Sequence, residues 1–277
     1  MVNRLQTLFN PLNAVQSFWK YRELIWELTK REIKKQYQGS YFGFVWTLIV
    51  PLMMLLIYTF VFSIVFQARW SGSAENTPPQ DFALILFAGL TPFNVFSAVV
   101  NQSPGLIINV PNYVKKVIFP LEILPVVILG SALFTSVIYV GLILIGNLIL
   151  YHAVPASILL LPLAYLPLIF LTLGLSWFLS SLGVFIRDIG QAVVVVVQVL
   201  FFTTPIFYPI TSVPEGLRAI LRINPLTDIV NFFRHTLLLN QPVDWFAWGR
   251  LTLLTIIFAL LGYVWFMKTK KGFADVL

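Results

Sequence analysis

The sequence predicts an all-α polytopic membrane protein. It has six transmembrane helices, an N-terminal amphipathic interface helix, and two short outer re-entrant helices between spans five and six. Three observations predict this class. Of 277 residues, 58% are hydrophobic and 10% charged, against about 25% charged in a soluble domain; the mean hydropathy is +0.87. Tyr41–Ala68 runs for twenty-eight residues without Asp, Glu, Lys, Arg or His, and about 20 apolar residues of helix cross a bilayer core about 30 Å thick. Lys30, Arg31, Lys34 and Lys35 stand just ahead of it, and a basic flank before an apolar span stays in the cytoplasm.

The elements follow in order. In residues 1–36, Tyr21, Leu24, Ile25 and Leu28 form one apolar stripe, with Lys20, Arg22, Lys30 and Lys34 on other faces. A basic amphipathic helix ahead of a span lies in the membrane interface. Residues 37–204 hold spans one to five. Arg69–Asp81, with its Gly, Ser, Asn and paired Pro, reads as an outer loop. The second span covers about Phe82–Ser103, interrupted by Gly89, Thr91, Pro92 and Asn94. Pro104–Glu122 returns inside at Lys115 and Lys116. The third span runs about Ile123–Leu150, and Tyr151–Pro155 is an outer turn without Lys or Arg.

The fourth span, about Ala156–Leu182, carries Pro162 and Pro167, which favour a kink. Gly183–Gln191 is the next inner loop, and the fifth span runs from near Ile189 to Thr204. Residues 205–243 are apolar but too broken to cross. There, Ser212 and Glu215 fit a capping box, and Asn224-Pro225 fits a cap with a first-turn proline. The last span lies over 247–267, and 268–277 is an inner tail. Thirteen Lys and Arg fall on inner segments and five on outer ones, the expected bias. Both termini are therefore cytoplasmic, and the chain is one transmembrane domain.

Several function classes are excluded or disfavoured. The net charge of +7 is no nucleic-acid signal, because the basic residues cluster at span ends. Cysteine is absent and the two histidines, His152 and His235, are far apart, so no metal site is expected. No ionisable residue falls in the middle of a predicted span, where ion-coupled carriers and channels need them. Arg187 and Asp188 are adjacent and lack a second acid or histidine nearby, which argues against an enzyme acting alone. There is no G-x-x-x-x-G-K-[ST] phosphate loop, so any driving energy comes from another chain.

Leu28–Ser63 (LTKREIKKQYQGSYFGFVWTLIVPLMMLLIYTFVFS) resembles the first-span signature of polysaccharide-export ABC transporter permeases. These are the membrane subunits that export O-antigen, capsule or teichoic acid. Phe119–Pro125 resembles their entry to the third span, Gly183–Gln191 their last inner loop, and Thr204–Leu238 their outer re-entrant helices. The likeness covers nearly the whole chain in order and spacing; the outer loop Ser71–Pro79 departs from it. The resemblance implies a homodimer enclosing a channel in the bacterial inner membrane. It implies two cytoplasmic ATP-binding-cassette subunits that hold ATP and Mg, with no cofactor in this chain. It also implies a lipid-linked polysaccharide substrate, such as an undecaprenyl-linked glycan. A permease of the same superfamily that exports a drug or lipid is the alternative, with an ion-coupled carrier or channel behind it.

Candidate site residues follow. Pro104–Phe119 matches the family's coupling segment, with Asn112, Tyr113, Lys115 and Lys116 as ATPase contacts; a basic loop obeying the orientation rule looks the same. Arg187 and Asp188 are a second contact, or else an internal ion pair or helix cap. Aromatic rings offer flat apolar faces to sugar C–H groups. Tyr37, Tyr41, Phe42, Phe44 and Trp46 crowd the first span, and Trp177, Phe201, Phe202, Phe207 and Tyr208 the fourth, the fifth and beyond. They line a channel or form an interfacial belt. Lys30, Arg31, Lys34 and Lys35 stand where an anionic pyrophosphate head group approaches, or simply set orientation. Residues 205–239 gate the outer mouth.

Overall fold

In the computed structural model, residues 11–38, 41–67, 70, 78–115, 119–239 and 244–277 are described, excluding the side chains of 11–15, 37 and 239. The N-terminal decapeptide, most of the outer loop at 69–77, and Lys116 fall outside. The described chain is helical, with no strand among these residues.

Two helices open the chain, α1 (Pro11–Lys20) and α2 (Arg22–Tyr37), where the sequence predicts one. The first span starts with a tight turn at Gly43–Val45, continues as α3 (Trp46–Tyr58), and widens into a π-helical turn over Thr59–Val65. Gly43 takes φ +49°, a left-handed value that suits glycine because it has no Cβ. It forms the elbow between α2 and the span. Helix α4 (Pro79–Gln102) is unbroken through Gly89 and Pro92. A turn at Ser103–Gly105 and the short α5 (Pro111–Lys115) lead to α6 (Leu124–Tyr151). Then come α7 (Leu161–Phe185), α8 (Ile189–Thr203), α9 (Glu215–Ile223), α10 (Pro225–Arg234), α11 (Trp245–Thr269) and α12 (Phe273–Val276).

Among the described residues, five stretches are long and apolar enough to cross a membrane: Gly43–Val65, Pro79–Gly105, Leu121–Tyr151, Ala156–Phe185 and Trp245–Val276. Helix α8 falls short at 15 residues, about 22 Å at 1.5 Å per residue. Thr204 leaves helical geometry at φ −83°, ψ 133°, as a residue ahead of proline favours.

Hydrogen bonds sort the bundle into two ends. At one, Trp177 Nε1 donates to Glu122 O (3.0 Å), Lys270 pairs with Glu122 (2.6 Å), and the Ser181 and Thr269 hydroxyls meet at 2.6 Å. At the other, Asn147 donates to Leu237 O (2.8 Å), Ser157 to Thr236 O (2.9 Å) and Trp248 to Leu163 O (3.0 Å). Helix α8 carries the chain from the first end to the second, so α7 and α11 run the same way, with α8, α9 and α10 between them.

Glycines set the tightest crossing. A Cβ on Gly262 would collide with the carbonyl oxygen of Gly174, and one on Gly174 would lie 2.9 Å from the Ala259 backbone. Backbones approach this closely only over small residues, which locks α11 onto α7. Two apolar clusters fill the interior. The larger joins α4, α6, α7 and α10 through Phe82, Phe93, Phe96, Ile143, Leu168 and Phe233. The smaller, at the end that holds Glu122 and Lys270, contains Ile107, Leu121, Trp177, Tyr263, Phe266 and Phe273.

The expected capping box is not formed. Helix α9 starts after Pro214 with no side-chain cap; Arg218 instead donates to Val213 O (2.6 Å) and Thr211 O (2.7 Å). The Asn224 cap is present: its Oδ1 accepts from Leu226 N at 3.0 Å, with Pro225 in the first turn.

Candidate functional site: a basic cleft and an inner loop face

The spacing of Lys30, Arg31, Lys34 and Lys35 (i, i+1, i+4, i+5) puts all four on one side of α2. The opposite side is docked. Thr29 is buried and its hydroxyl donates to Ile25 O at 2.7 Å. Its methyl meets Gly130, where an added Cβ would lie 3.0 Å away. Gln36 Nε2 donates to Ser131 Oγ at 3.0 Å. These contacts hold α2 against α6 and turn the four cations into a cleft of about 980 Å³, lined also by Glu27, Ile33, Gln38 and Phe44.

Four cations against one carboxylate leave the cleft lining three charges positive. Lys30 pairs with Glu27 at 2.8 Å and lies 5.1 Å from the Trp26 ring centroid; Lys35 reaches Glu32 at 3.7 Å. Arg31 and Lys34 form no ion pair among the described residues. Such a site suits a multivalent anion, because ionised donors bond phosphate oxygens most strongly.

The second candidate surface is the end that carries the 103–122 and 183–191 loops. On α5, Asn112 and Lys115 are exposed, whereas the Tyr113 ring stacks on Phe119 at 4.5 Å and 19°. Lys116 lies outside the described residues. Arg187 and Asp188 are both exposed. Asp188 precedes α8 without a side-chain cap bond, and neither residue is ion-paired among those described. The two loops touch: Gly183 sits under the Pro104 carbonyl, where a Cβ would clash, and Gly190 faces the Pro104 ring at 3.8 Å.

The aromatic residues divide. Tyr41 is 98% exposed, and Phe42, Phe44, Trp46 and Phe202 are exposed with it. Phe42 meets Tyr41 edge-on at 5.5 Å and Trp46 at 5.8 Å. Phe201 and Tyr208 are half-buried. Trp177 and Phe207 are core residues, 4% and 3% exposed. Trp177 stacks on Phe18 (5.9 Å) and packs edge-on to Tyr263 (5.2 Å); Phe207 stacks on Phe62 (4.6 Å). The side chain of Tyr37 lies outside those described.

Two buried charges escape a reading of the sequence. Arg234 is 2% exposed and donates to Ile85 O (3.2 Å), Pro205 O (2.8 Å) and Ile206 O (2.7 Å). Its guanidinium lies 4.3 Å from the Trp70 ring centroid. It is a clamp joining α4, the segment after α8, and α10, rather than an outward-facing cation. Its place directly after Phe232 and Phe233 in NFFRHTLLL is the signal in the sequence. Glu122, the other, anchors Lys270.

Residues 23–238 match the ABC-2 type transporter family. The O-antigen export system permease protein RfbA of Myxococcus xanthus is 28% identical over 84% of this chain and 88% of its own length. RfbA of Klebsiella pneumoniae is 27% identical over 92% of this chain and 95% of its own. The polysialic acid transport protein KpsM of Escherichia coli is 24% identical over 84% and 88%. With five long apolar helices among the described residues and a family match over most of its length, the chain belongs to the ABC-2 type transporter family.

Proposed function

We propose that the chain is the membrane-spanning permease subunit of an ATP-driven exporter. Its cargo is a lipid-linked polysaccharide of O-antigen, capsule or teichoic-acid type, moved from the cytoplasm across the bacterial inner membrane. The observation that carries this reading is the likeness, over 84% to 92% of the chain, to permeases named for O-antigen export and polysialic acid transport.

In this reading the chain is one permease domain with both termini cytoplasmic. Helix α8 is the sixth crossing, helix α2 lies in the inner interface, and α9 and α10 dip into the outer leaflet to close the mouth. Two copies enclose the channel, because α3 and α8 leave large apolar surfaces bare. The pyrophosphate of the lipid carrier enters at Lys30, Arg31, Lys34 and Lys35, where the net positive cleft draws it in. Two cytoplasmic ATP-binding-cassette subunits hold ATP and Mg. Each touches Asn112, Tyr113, Lys115 and Lys116 together with the Arg187–Asp188 turn, since the two loops lie side by side. Tyr37, Tyr41, Phe42, Phe44, Trp46, Phe201, Phe202 and Tyr208 form the sugar path. Trp177 and Phe207 serve the packing behind it.

The test is to purify the tagged chain gently from its own membrane and assay ATP hydrolysis. An ATP-binding-cassette subunit in equal amount, with hydrolysis raised by lipid-linked glycan from the same cells, is the expected result. A chain with no nucleotide-binding partner, or hydrolysis indifferent to the glycan, overturns the reading.

A further inference from the structure

A second cleft, of about 310 Å³, opens between α2, α4 and α6. Helix α4 contributes Asn94, Ser97 and Gln102; helix α6 contributes Ser131, Thr135 and Tyr139. Each set falls on one helix face and extends eight residues, about 12 Å along the axis. Small Ala98 and Ala132 between them leave the space open. Elsewhere the inward surface of α4 is mostly apolar, with Leu86, Phe93 and Phe96 buried; the buried Thr91 hydroxyl donates back to Phe87 O at 2.9 Å. The polar stripe is therefore a local feature, set within two apolar spans where polar groups are costly.

Only Glu32 in this lining is ionised in its ordinary state. Its other polar groups are amides and hydroxyls, which donate and accept without net charge, while Val95, Ile128 and the Tyr139 ring add apolar surface. The Asn94 amide has no side-chain hydrogen bond among the described residues. This chemistry fits a neutral, hydroxyl-rich ligand; a phosphate would favour the basic cleft instead. The two clefts are neighbours. Arg31 and Lys35 line both the basic cleft and a groove of about 440 Å³, and Glu32 and Gln102 line both that groove and the polar cleft.

We propose that the polar cleft is a sugar subsite. It takes the uncharged sugar units adjoining the phosphate of a lipid-linked glycan whose head group occupies the basic cleft. The proposal rests on the export reading above.

The chain contains no cysteine, so Asn94→Cys and Thr135→Cys each introduce a single thiol. Each variant, assembled with its ATPase subunits, is labelled with a small polar maleimide. Labelling is run alone, with lipid-linked glycan from producing cells, and with undecaprenyl pyrophosphate. At ten times its dissociation constant the glycan lipid slows labelling at both positions by about tenfold, whereas undecaprenyl pyrophosphate does not. Val137→Cys, on the 66% exposed outer side of α6, is unaffected by either. Equal protection by both lipids overturns the subsite. So does no protection at either thiol in a complex whose wild-type ATPase responds to the glycan. A wild-type ATPase that ignores the glycan overturns the export reading, and the subsite with it.

Discussion

The spans Gly43–Val65 and Pro79–Gly105 are both strongly apolar, with mean hydropathies of 2.6 and 2.0, yet the first buries only Thr47 and Pro51 whereas α4 of the second buries fifteen residues. The second is the hub of the larger cluster, wrapped by α6, α7 and α10. The first touches the bundle along one edge, with Phe62 and Tyr58 against Phe207 and Phe44 against Phe134. Helix α8 resembles the first span, since only Val193 and Val197 of its residues are buried. Hydropathy places a helix in the bilayer; it does not say whether lipid, this chain or a second copy covers it. The well-packed half is a scaffold. In the proposed reading, the bare half, together with the basic cleft at its foot, is the working face.

Substitutions should separate the halves by size of effect. The largest belongs to the scaffold. Gly262→Leu drives a side chain into the Gly174 backbone and should cost about 3 kcal/mol, read as loss of monodisperse protein on size-exclusion chromatography. Arg234→Met strands three buried carbonyls and should cost about 2 to 3 kcal/mol, seen as a lower Tm in detergent. Gly43→Ala meets no atom within 4 Å but strains a left-handed backbone by about 1 kcal/mol; it should move Tm less than Arg234→Met does. Leu56→Ala on the bare face, where Leu56 is 65% exposed, should change Tm by under about 0.5 kcal/mol-equivalent. A Leu56→Ala loss as large as that of Gly262→Leu would erase the distinction between the halves.

The legible parts of this molecule are those set by neighbours in sequence. The first span is a run of apolar residues. The basic cleft follows from helical spacing, because residues 30, 31, 34 and 35 share one side of any helix. The Asn224-Pro225 helix start is likewise local. What escapes depends on distant segments meeting. Arg234 reads as an outward cation until Ile85, 149 residues away, supplies its carbonyl. Lys270 reads as a tail charge until Glu122, 148 residues away, pairs with it. Trp177 and Phe207 read as channel aromatics because composition does not reveal that Phe18, Tyr263 and Phe62 cover them. The capping box at Ser212–Glu215 loses to Arg218, which bonds the carbonyls of 211 and 213 directly.

The claim that the bare half is the face between two copies can be tested by disulfide cross-linking in native membranes. Because the chain lacks cysteine, single thiols at Leu56 in the first span and at Val196 in α8 can be compared with one at Leu261 in the last span. All three are well exposed, at 65%, 56% and 61%. The account predicts covalent dimers from Leu56→Cys or Val196→Cys and only monomer from Leu261→Cys. Dimers from Leu261→Cys, with Leu56→Cys and Val196→Cys remaining monomeric, would contradict it.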